Sequence, residues 1–96
     1  MAQAVKKAKQ VSPEKALLSD LGDVVRRRRL ALNLSQEELA GRAGVHRTYL
    51  SDIERGSRNI TITVLARLSD ALEVKVSRLF RLTEQQVFER PKGRSR

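Results

Sequence analysis

Apolar side chains recur at helical spacing through the middle of this 96-residue chain, and no segment sustains the alternation that a half-buried strand requires. One such stripe comprises Leu18, Leu21, Val25 and Leu32. The single β-leaning stretch, residues 60–64, is short and runs directly into a helical pattern. The spacing therefore predicts an all-α fold.

Capping residues and glycines divide this pattern into five predicted helices. Ser35 and Glu38 form a capping box at the start of the second helix, because each side chain can satisfy a backbone N–H of the other residue. Gly44 and Gly56 end the second and third helices, and Asn33 suits a left-handed end for the first. The five helices are expected over about 16–32, from the Ser35 cap to Gly44, and over about 47–55, 62–72 (after a Thr61 cap) and 76–82.

Basic residues are spread over the whole chain. Lys and Arg number 20 against 11 Asp and Glu, and the net charge of +9 implies attraction to phosphate-rich surfaces. Composition predicts a flexible basic arm over residues 1–15, one compact domain over 16–82 and a polar basic tail over 83–96. The central residues 21–82 hold 12 basic and 7 acidic side chains, so the predicted domain is itself basic.

Several classes of protein are disfavoured by what the composition lacks. The chain has no cysteine and one histidine, His46, which argues against disulfides, zinc sites and the usual catalytic triads. We expect no catalysis, no metal and no cofactor. The aromatic residues are Tyr49, Phe80 and Phe88, too few for the stacking platforms of single-strand binders, so duplex is the better candidate partner.

The lengths of the apolar runs bear on where in the cell the protein is expected. They are far shorter than the roughly 20 residues that a membrane span needs, and the N-terminus does not have the pattern of a secretory signal. We therefore expect a cytoplasmic protein without a membrane partner.

Two short helices joined by Gly44-Val45-His46 have the build of a helix-turn-helix, with the small residue Ala40 where the helices cross. The motifs in this region are Leu34-Ser35-Gln36-Glu37-Glu38-Leu39-Ala40, Ala43-Gly44-Val45 and Tyr49-Leu50-Ser51-Asp52-Ile53-Glu54-Arg55-Gly56. They resemble the phage-repressor (Cro/C1, or XRE-like) family of DNA-binding domains over residues 21–82. The runs His46-Arg47-Thr48-Tyr49 and Glu54-Arg55-Gly56-Ser57-Arg58-Asn59-Ile60 look closest to the controller proteins of restriction–modification systems. Arg28 departs from the family pattern, which usually has an apolar residue there.

The resemblance implies a bacterial or phage-encoded protein, associated with the nucleoid when bound, whose third helix enters the major groove. Arg47, Thr48, Tyr49 and Asp52 are the predicted base readers. Arg47 can bond guanine O6 and N7, and Thr48 can contact a thymine methyl group. Tyr49 can meet a base edge or a phosphate. Asp52 can accept from cytosine N4, or it can instead pair with Arg55.

Phosphate contacts are expected from the start of the second helix and from the loop after the third. The predicted set is Gln36, Ser51, Arg55, Ser57, Arg58 and Asn59. For Arg55 and Arg58 the alternative is a solvated charged loop. For His46, the histidine before the third helix, an imperfect helix cap is favoured over a pH sensor.

One acidic residue is interpreted as structural. Glu54 lies on the inner stripe of the third helix, where an unpaired carboxylate would cost several kcal/mol. The family resemblance implies that Arg29 of the first helix is its partner. A general acid or base is disfavoured, because no nucleophile accompanies Glu54 in the pattern. The rest of the Arg26–Arg29 run is mostly a solvated helix face.

The last predicted helix supplies more apolar surface than docking of one short helix needs, and we expect a dimer interface there. Its residues are Val76, Leu79, Phe80 and Leu82. The alternative is that all four complete the core of one chain.

The sequence thus predicts a sequence-specific regulator of transcription, repressor or activator, that binds a two-fold operator in double-stranded DNA as a homodimer, with no small-molecule effector. Three alternatives remain. The first is an antitoxin whose tail, marked by Val87 and Phe88, also binds a toxin. The others are a nonspecific RNA or nucleoid binder and, least favoured, an enzyme.

Overall fold

The computed structural model describes residues 12–89, and over that range the chain forms five α-helices and no strand. The helices are α1 (Pro13–Ala31), α2 (Gln36–Ala43), α3 (Arg47–Glu54), α4 (Ile62–Ala71) and α5 (Val76–Glu89). The predicted all-α architecture of five helices is confirmed. The predictions for residues 1–11 and 90–96 lie outside the described residues, as do the side chains of Val87 and Phe88.

The capping box at the start of α2 is present. Ser35 Oγ accepts the Glu38 N–H at 3.0 Å, and Glu38 Oε1 accepts the Ser35 N–H at 2.8 Å. The bond from the Ser35 backbone N–H to the carboxylate, followed by hydrogen bonding from the Ser35 side chain, holds the pKa of Glu38 below its ordinary value. Thr61 caps α4 in the same way, with Oγ1 accepting the Val64 N–H at 3.1 Å. His46 occupies the corresponding position before α3 without a side-chain cap bond.

Residues with a left-handed backbone conformation follow α1 and α2 at the positions that the sequence predicts. Asn33 has φ 59° after α1, and Gly44 has φ 71° after α2. The Gly44 N–H donates to the carbonyl of Gly41, and the Val45 N–H donates to that of Ala40 at 3.0 Å. These bonds satisfy the last carbonyls of α2 and fix the direction of the turn into α3.

The first and last helices extend further toward the chain ends than the sequence predicts. The helix α1 begins at Pro13 rather than Ala16, because Ser12 Oγ accepts the Lys15 N–H at 3.2 Å and proline is favourable at the first helical position. Residues 13–15 therefore belong to a helix and not to an arm.

The helix α5 continues to Glu89, seven residues beyond the predicted end at Leu82. Two polar residues of this extension, Thr83 and Gln86, are buried or half-buried. Thr83 is fully buried and its hydroxyl donates to the Leu79 carbonyl at 2.8 Å, while Gln86 Nε2 donates to Asp20 Oδ1 at 2.7 Å. The composition of this segment resembles a tail because the inward side chains of Thr83 and Gln86 are polar and hydrogen-bonded.

Leucines from every helix meet in one core. The helix α1 packs against α3 and α5, and α2 packs against α3 and α4. The fully buried apolar side chains are Val25, Leu39, Leu50, Leu65, Leu68, Leu72 and Leu79. This packing buries one side of α3 and leaves its other side exposed.

The arginine run of α1 divides between solvent and interior. Arg26 and Arg27 are exposed, as predicted for a solvated face. Arg28 is half-buried, and its Nε donates to the Leu72 carbonyl at 2.9 Å. Because carbonyls at a helix C-terminus lack intrahelical partners, an arginine suits this position better than an apolar residue does here. Arg29 points into the interior beside α3.

Candidate nucleic-acid interface

A buried ion pair fixes the C-terminal end of α3. Arg29 Nε donates to Glu54 Oε2 at 2.7 Å, and Arg29 Nη2 donates to Glu54 Oε1 at 3.0 Å. The Arg29 and Glu54 side chains are 9% and 3% exposed. Hydrogen bonding to Glu54 raises the pKa of Arg29 above its ordinary value. The predicted pair is therefore present, and its fork geometry joins α1 to α3.

Two further groups complete this cluster. Arg29 Nη1 donates to the Leu34 carbonyl at 2.9 Å, and Gln36 Nε2 donates to Glu54 Oε1 at 3.0 Å. The sequence predicted Gln36 as a phosphate contact, whereas its half-buried amide nitrogen here bonds Glu54. The backbone N–H groups of Gln36 and Glu37 have no intrahelical acceptor by helix geometry, whereas the N–H of Glu38 bonds Ser35 Oγ. No sequence signal distinguished these two uses of Gln36.

The exposed first turn of α3 carries the first three predicted base readers. Arg47 and Thr48 are exposed and Tyr49 is half-buried. The Arg47 Nε lies 3.0 Å from Glu37 Oε2, and both side chains are more than half exposed. A shallow depression beside this turn is lined by Gly44, Val45, His46, Thr48, Tyr49 and Arg58. The structure thus brings Thr48 and Tyr49 together with Arg58, a residue predicted for another role.

The fourth predicted reader, Asp52, is already paired. Its Oδ2 accepts a hydrogen bond from Arg58 Nη2 at 2.8 Å, and its Oδ1 accepts one from Arg55 Nη2. The Arg58 bond, followed by the charges of both arginines, lowers the pKa of Asp52. Pairing with Arg55 was the alternative that the sequence left open for Asp52. The Arg58 partner was missed, because it lies in a loop whose course is not encoded by helical spacing.

Arg58 makes a second contact within the same group. Its guanidinium carbon lies 4.8 Å from the centre of the Tyr49 ring, within the range of a cation–π interaction. Arg55 Nη1 donates to Ser51 Oγ at 2.8 Å. Tyr49, Ser51, Asp52, Arg55 and Arg58 thus form one connected surface along α3 and the following loop, which we call the arginine cluster.

The remaining predicted phosphate contacts border this cluster. Ser57 is exposed, and its hydroxyl donates to the Asp52 carbonyl at 3.2 Å. Asn59 is exposed in the same loop. The first turn of α3, the arginine cluster and this loop therefore carry every predicted DNA contact except Gln36, which lies at the start of α2.

The structure corrects one of the four predicted interface residues on α5. Leu79 is 0% exposed in the single chain and belongs to the core, so it has no surface to offer a second copy. Val76 and Phe80 are half-buried one helical turn apart on one flank of Leu79, and Leu82 is half-buried on the other flank.

The part of the chain that the structure describes has neither a metal-binding cluster nor a membrane-spanning helix. Within residues 12–89, no group of three or more His, Asp or Glu side chains is placed to hold a metal ion. None of the helices formed by these residues has the length and apolarity of a membrane span.

Known proteins with similar sequences are regulators of transcription. The helix-turn-helix family model matches residues 25–79. Control protein C.BamHI of Bacillus amyloliquefaciens is 46% identical over 63 residues, which cover 65% of this chain and 78% of that protein. Control protein C.SmaI of Serratia marcescens is 46% identical over 65 residues, covering 68% and 75% respectively.

Solved structures agree with the sequence relatives. The restriction–modification controller protein C.Esp1396I superimposes with a TM-score of 0.71 at 37% identity, covering 76% of this chain and 96% of that chain. The controller protein C.AhdI from Aeromonas hydrophila superimposes with a TM-score of 0.64, also at 37% identity, covering 65% and 94%.

Proposed function

The chain belongs to the Cro/C1-type (XRE) helix-turn-helix family of DNA-binding transcription regulators, and we propose that it reads a two-fold operator as a homodimer in the manner of a restriction–modification controller. Members of this family are regulators and not enzymes. Its DNA partner is double-stranded, because an exposed helix of this kind fits the major groove.

The observation that carries the proposal is the contrast between the two sides of α3. Its inner side is fixed by Leu50, Ile53 and the Arg29–Glu54 pair, whereas Arg47 and Thr48 in its first turn are exposed. A rigidly held helix with exposed donors at its N-terminal end can present them to base edges without a cost for ordering its backbone.

Within this arrangement Arg47 reads guanine, Thr48 contacts a neighbouring base, and Tyr49 meets a base edge or a phosphate. Glu37 holds Arg47 in the free protein through an exposed ion pair, which is weak enough to be replaced by a base. Asp52 is not among the readers that we propose, because both of its carboxylate oxygens are bonded to arginines.

Phosphate contacts come from Ser51, Arg55, Ser57, Arg58 and Asn59, and from the backbone N–H of Gln36 at the start of α2. The free N–H groups and the positive end of the helix dipole suit a phosphate at that position. These contacts position the protein on the duplex and carry no sequence information by themselves.

The second copy is proposed to bind at α5 through Val76 and Phe80, which share one flank of the helix, whereas Leu82 lies on the other flank. A two-fold dimer places two recognition helices about 34 Å apart, one turn of duplex, so that both half-sites are read on the same face. The small size of the folded domain makes such additional apolar burial favourable.

Selection of bound duplexes from a random pool tests this function directly. The wild-type protein should recover a site with two-fold symmetry. Arg47→Ala should bind that site about 1–3 kcal/mol more weakly and lose preference at one base pair in each half-site. A recovered pool without any common sequence would overturn sequence-specific readout and favour the nonspecific nucleic-acid binder. An unchanged preference profile in Arg47→Ala would remove Arg47 from the readers.

The antitoxin alternative receives no support from the relatives described above, which are controller proteins of restriction–modification systems. The regulator is therefore the single function that we propose.

A further inference from the structure

The carboxylate of Asp52 is surrounded by groups that would otherwise be free to bind DNA. Each oxygen accepts from a different arginine, Arg55 or Arg58, and the side chain is only 18% exposed. Arg58 is held at the same time over the Tyr49 ring. A residue that reads bases needs an acceptor directed at the groove, whereas the acceptors of Asp52 are directed at its own chain.

This pairing opposes sequence-independent attraction to DNA. Phosphates attract free arginines on any duplex, and this term supplies most of nonspecific binding. With Asp52 in place, a phosphate must compete for Arg55 and Arg58 and must also approach a negative charge. In the register fixed by the base contacts of Arg47 and Thr48, the remaining N–H groups of Arg55 and Arg58 can reach phosphates while both arginines keep their bonds to Asp52. In other registers these ion pairs must break before the arginines reach phosphates, so the cost falls mainly on other sequences. Specificity is a difference of affinities, so a cost that falls mainly on wrong sequences increases it.

We propose that Asp52 is a positioning residue that restrains Arg55 and Arg58 and thereby determines how strongly this regulator discriminates its operator from other DNA. The inference rests on the proposed function and assigns to Asp52 a part in it other than base reading.

Asp52→Asn isolates the charge from the backbone. The Asp52 carbonyl accepts the Ser57 N–H at 3.0 Å and the Ser57 hydroxyl at 3.2 Å, and an asparagine keeps both bonds. Asp23→Asn is the matched control, because it makes the same change in net charge and also releases one arginine, Arg27, on the exposed side of α1.

Affinity is measured on two duplexes, the one selected by the wild-type protein and a scrambled duplex of equal composition. Asp52→Asn should bind the scrambled duplex roughly three- to tenfold more tightly, with a log–log salt slope steeper by about one for each arginine that reaches a phosphate. Its affinity for the selected duplex should rise less, so the ratio between the two should fall. Asp23→Asn should leave that ratio unchanged.

Tyrosine emission gives a readout in the absence of DNA. The chain contains one tyrosine and no tryptophan, so its intrinsic fluorescence reports on Tyr49 alone. Releasing Arg58 should change the emission in Asp52→Asn and not in Asp23→Asn.

Three results would overturn the inference. One is an unchanged or weaker affinity of Asp52→Asn for the scrambled duplex. Another is a loss confined to one base pair of the selected site, which would make Asp52 a base reader. The third is an equal effect in Asp23→Asn, which would make the effect one of bulk charge. If the wild-type protein selects no duplex at all, the proposed function fails first and the role of Asp52 fails with it.

Discussion

At the scale of single residues, the fold depends most on the Arg29–Glu54 pair. These two side chains of opposite charge are buried between α1 and α3 and make four hydrogen bonds. Two bonds join them to each other, Arg29 also donates to the Leu34 carbonyl, and Glu54 also accepts from Gln36. Such a pair is costly to break, because the remaining charge is left in a poorly solvated site. It orients α3 and so couples a stability feature to the geometry of DNA reading.

Replacing Glu54 by Gln should lower the free energy of unfolding by an amount on the order of 3 kcal/mol, because Arg29 keeps its charge and loses its counter-charge. Arg29→Met combined with Glu54→Gln should cost less than the sum of the two single changes. Urea denaturation of the wild-type protein, both single variants and the double variant measures this coupling. Additive losses would show that the two charges contribute independently.

At the scale of helices, the crossing of α1 and α3 depends on Gly22. A Cβ atom built at Gly22 would lie 2.2 Å from the carbonyl oxygen of Ile53 and 2.8 Å from that of Glu54. Both are backbone atoms, which cannot move aside as a flexible side chain can. The missing side chain therefore lets α1 contact the last turn of α3, next to the Arg29–Glu54 pair.

Gly22→Ala should accordingly destabilise the protein by about 1–3 kcal/mol, as overpacking of a close contact does. Gly41→Ala is its matched control, since nothing lies within 4 Å of a Cβ at this position in α2. That change should stabilise by about 0.5–1 kcal/mol, because alanine loses less conformational freedom than glycine in a helix. Thermal and urea unfolding of both variants decide the matter. Equal effects of the two alanines would show that α1 and α3 do not cross as closely as described.

At the scale of the whole molecule, the flanks of α5 connect stability to function. Phe80 and Val76 are half-buried on one flank, next to the fully buried Leu79. If a second copy covers this flank, binding stabilises only the folded chain, and the melting temperature rises with protein concentration. Two linked recognition helices also bind two half-sites more tightly than one helix binds one.

Phe80→Ala should reduce this concentration dependence and the affinity for a two-fold operator, while the affinity for an isolated half-site stays nearly constant. Because Phe80 also packs against the core, its loss lowers the melting temperature of a single chain as well, but equally at all concentrations. Sedimentation velocity distinguishes the two effects. A wild-type protein that sediments as a monomer at tens of micromolar, far above typical operator dissociation constants of about 10⁻⁸ M, would contradict the dimer.

The sequence by itself determined those features that depend on local spacing. Helical periodicity established the five helices, and short-range capping chemistry placed the start of α2 at Ser35 and the left-handed turns at Asn33 and Gly44. The motif of α2 and α3 identified the family and, through it, the Arg29–Glu54 pair. These signals are legible in one dimension because each acts over a few neighbouring residues or recurs as a fixed pattern.

The tertiary structure alone decided the features that depend on groups distant in sequence. The burial of Leu79 and the extension of α5 through Thr83 and Gln86 follow from packing against α1. The ion pair between Asp52 and Arg58 depends on the course of the loop after α3. The close approach of Gly22 to the backbone of α3 depends on how α1 and α3 cross. In each case the partner lies on another segment whose position is fixed by the whole core, so no local pattern in the sequence indicates it.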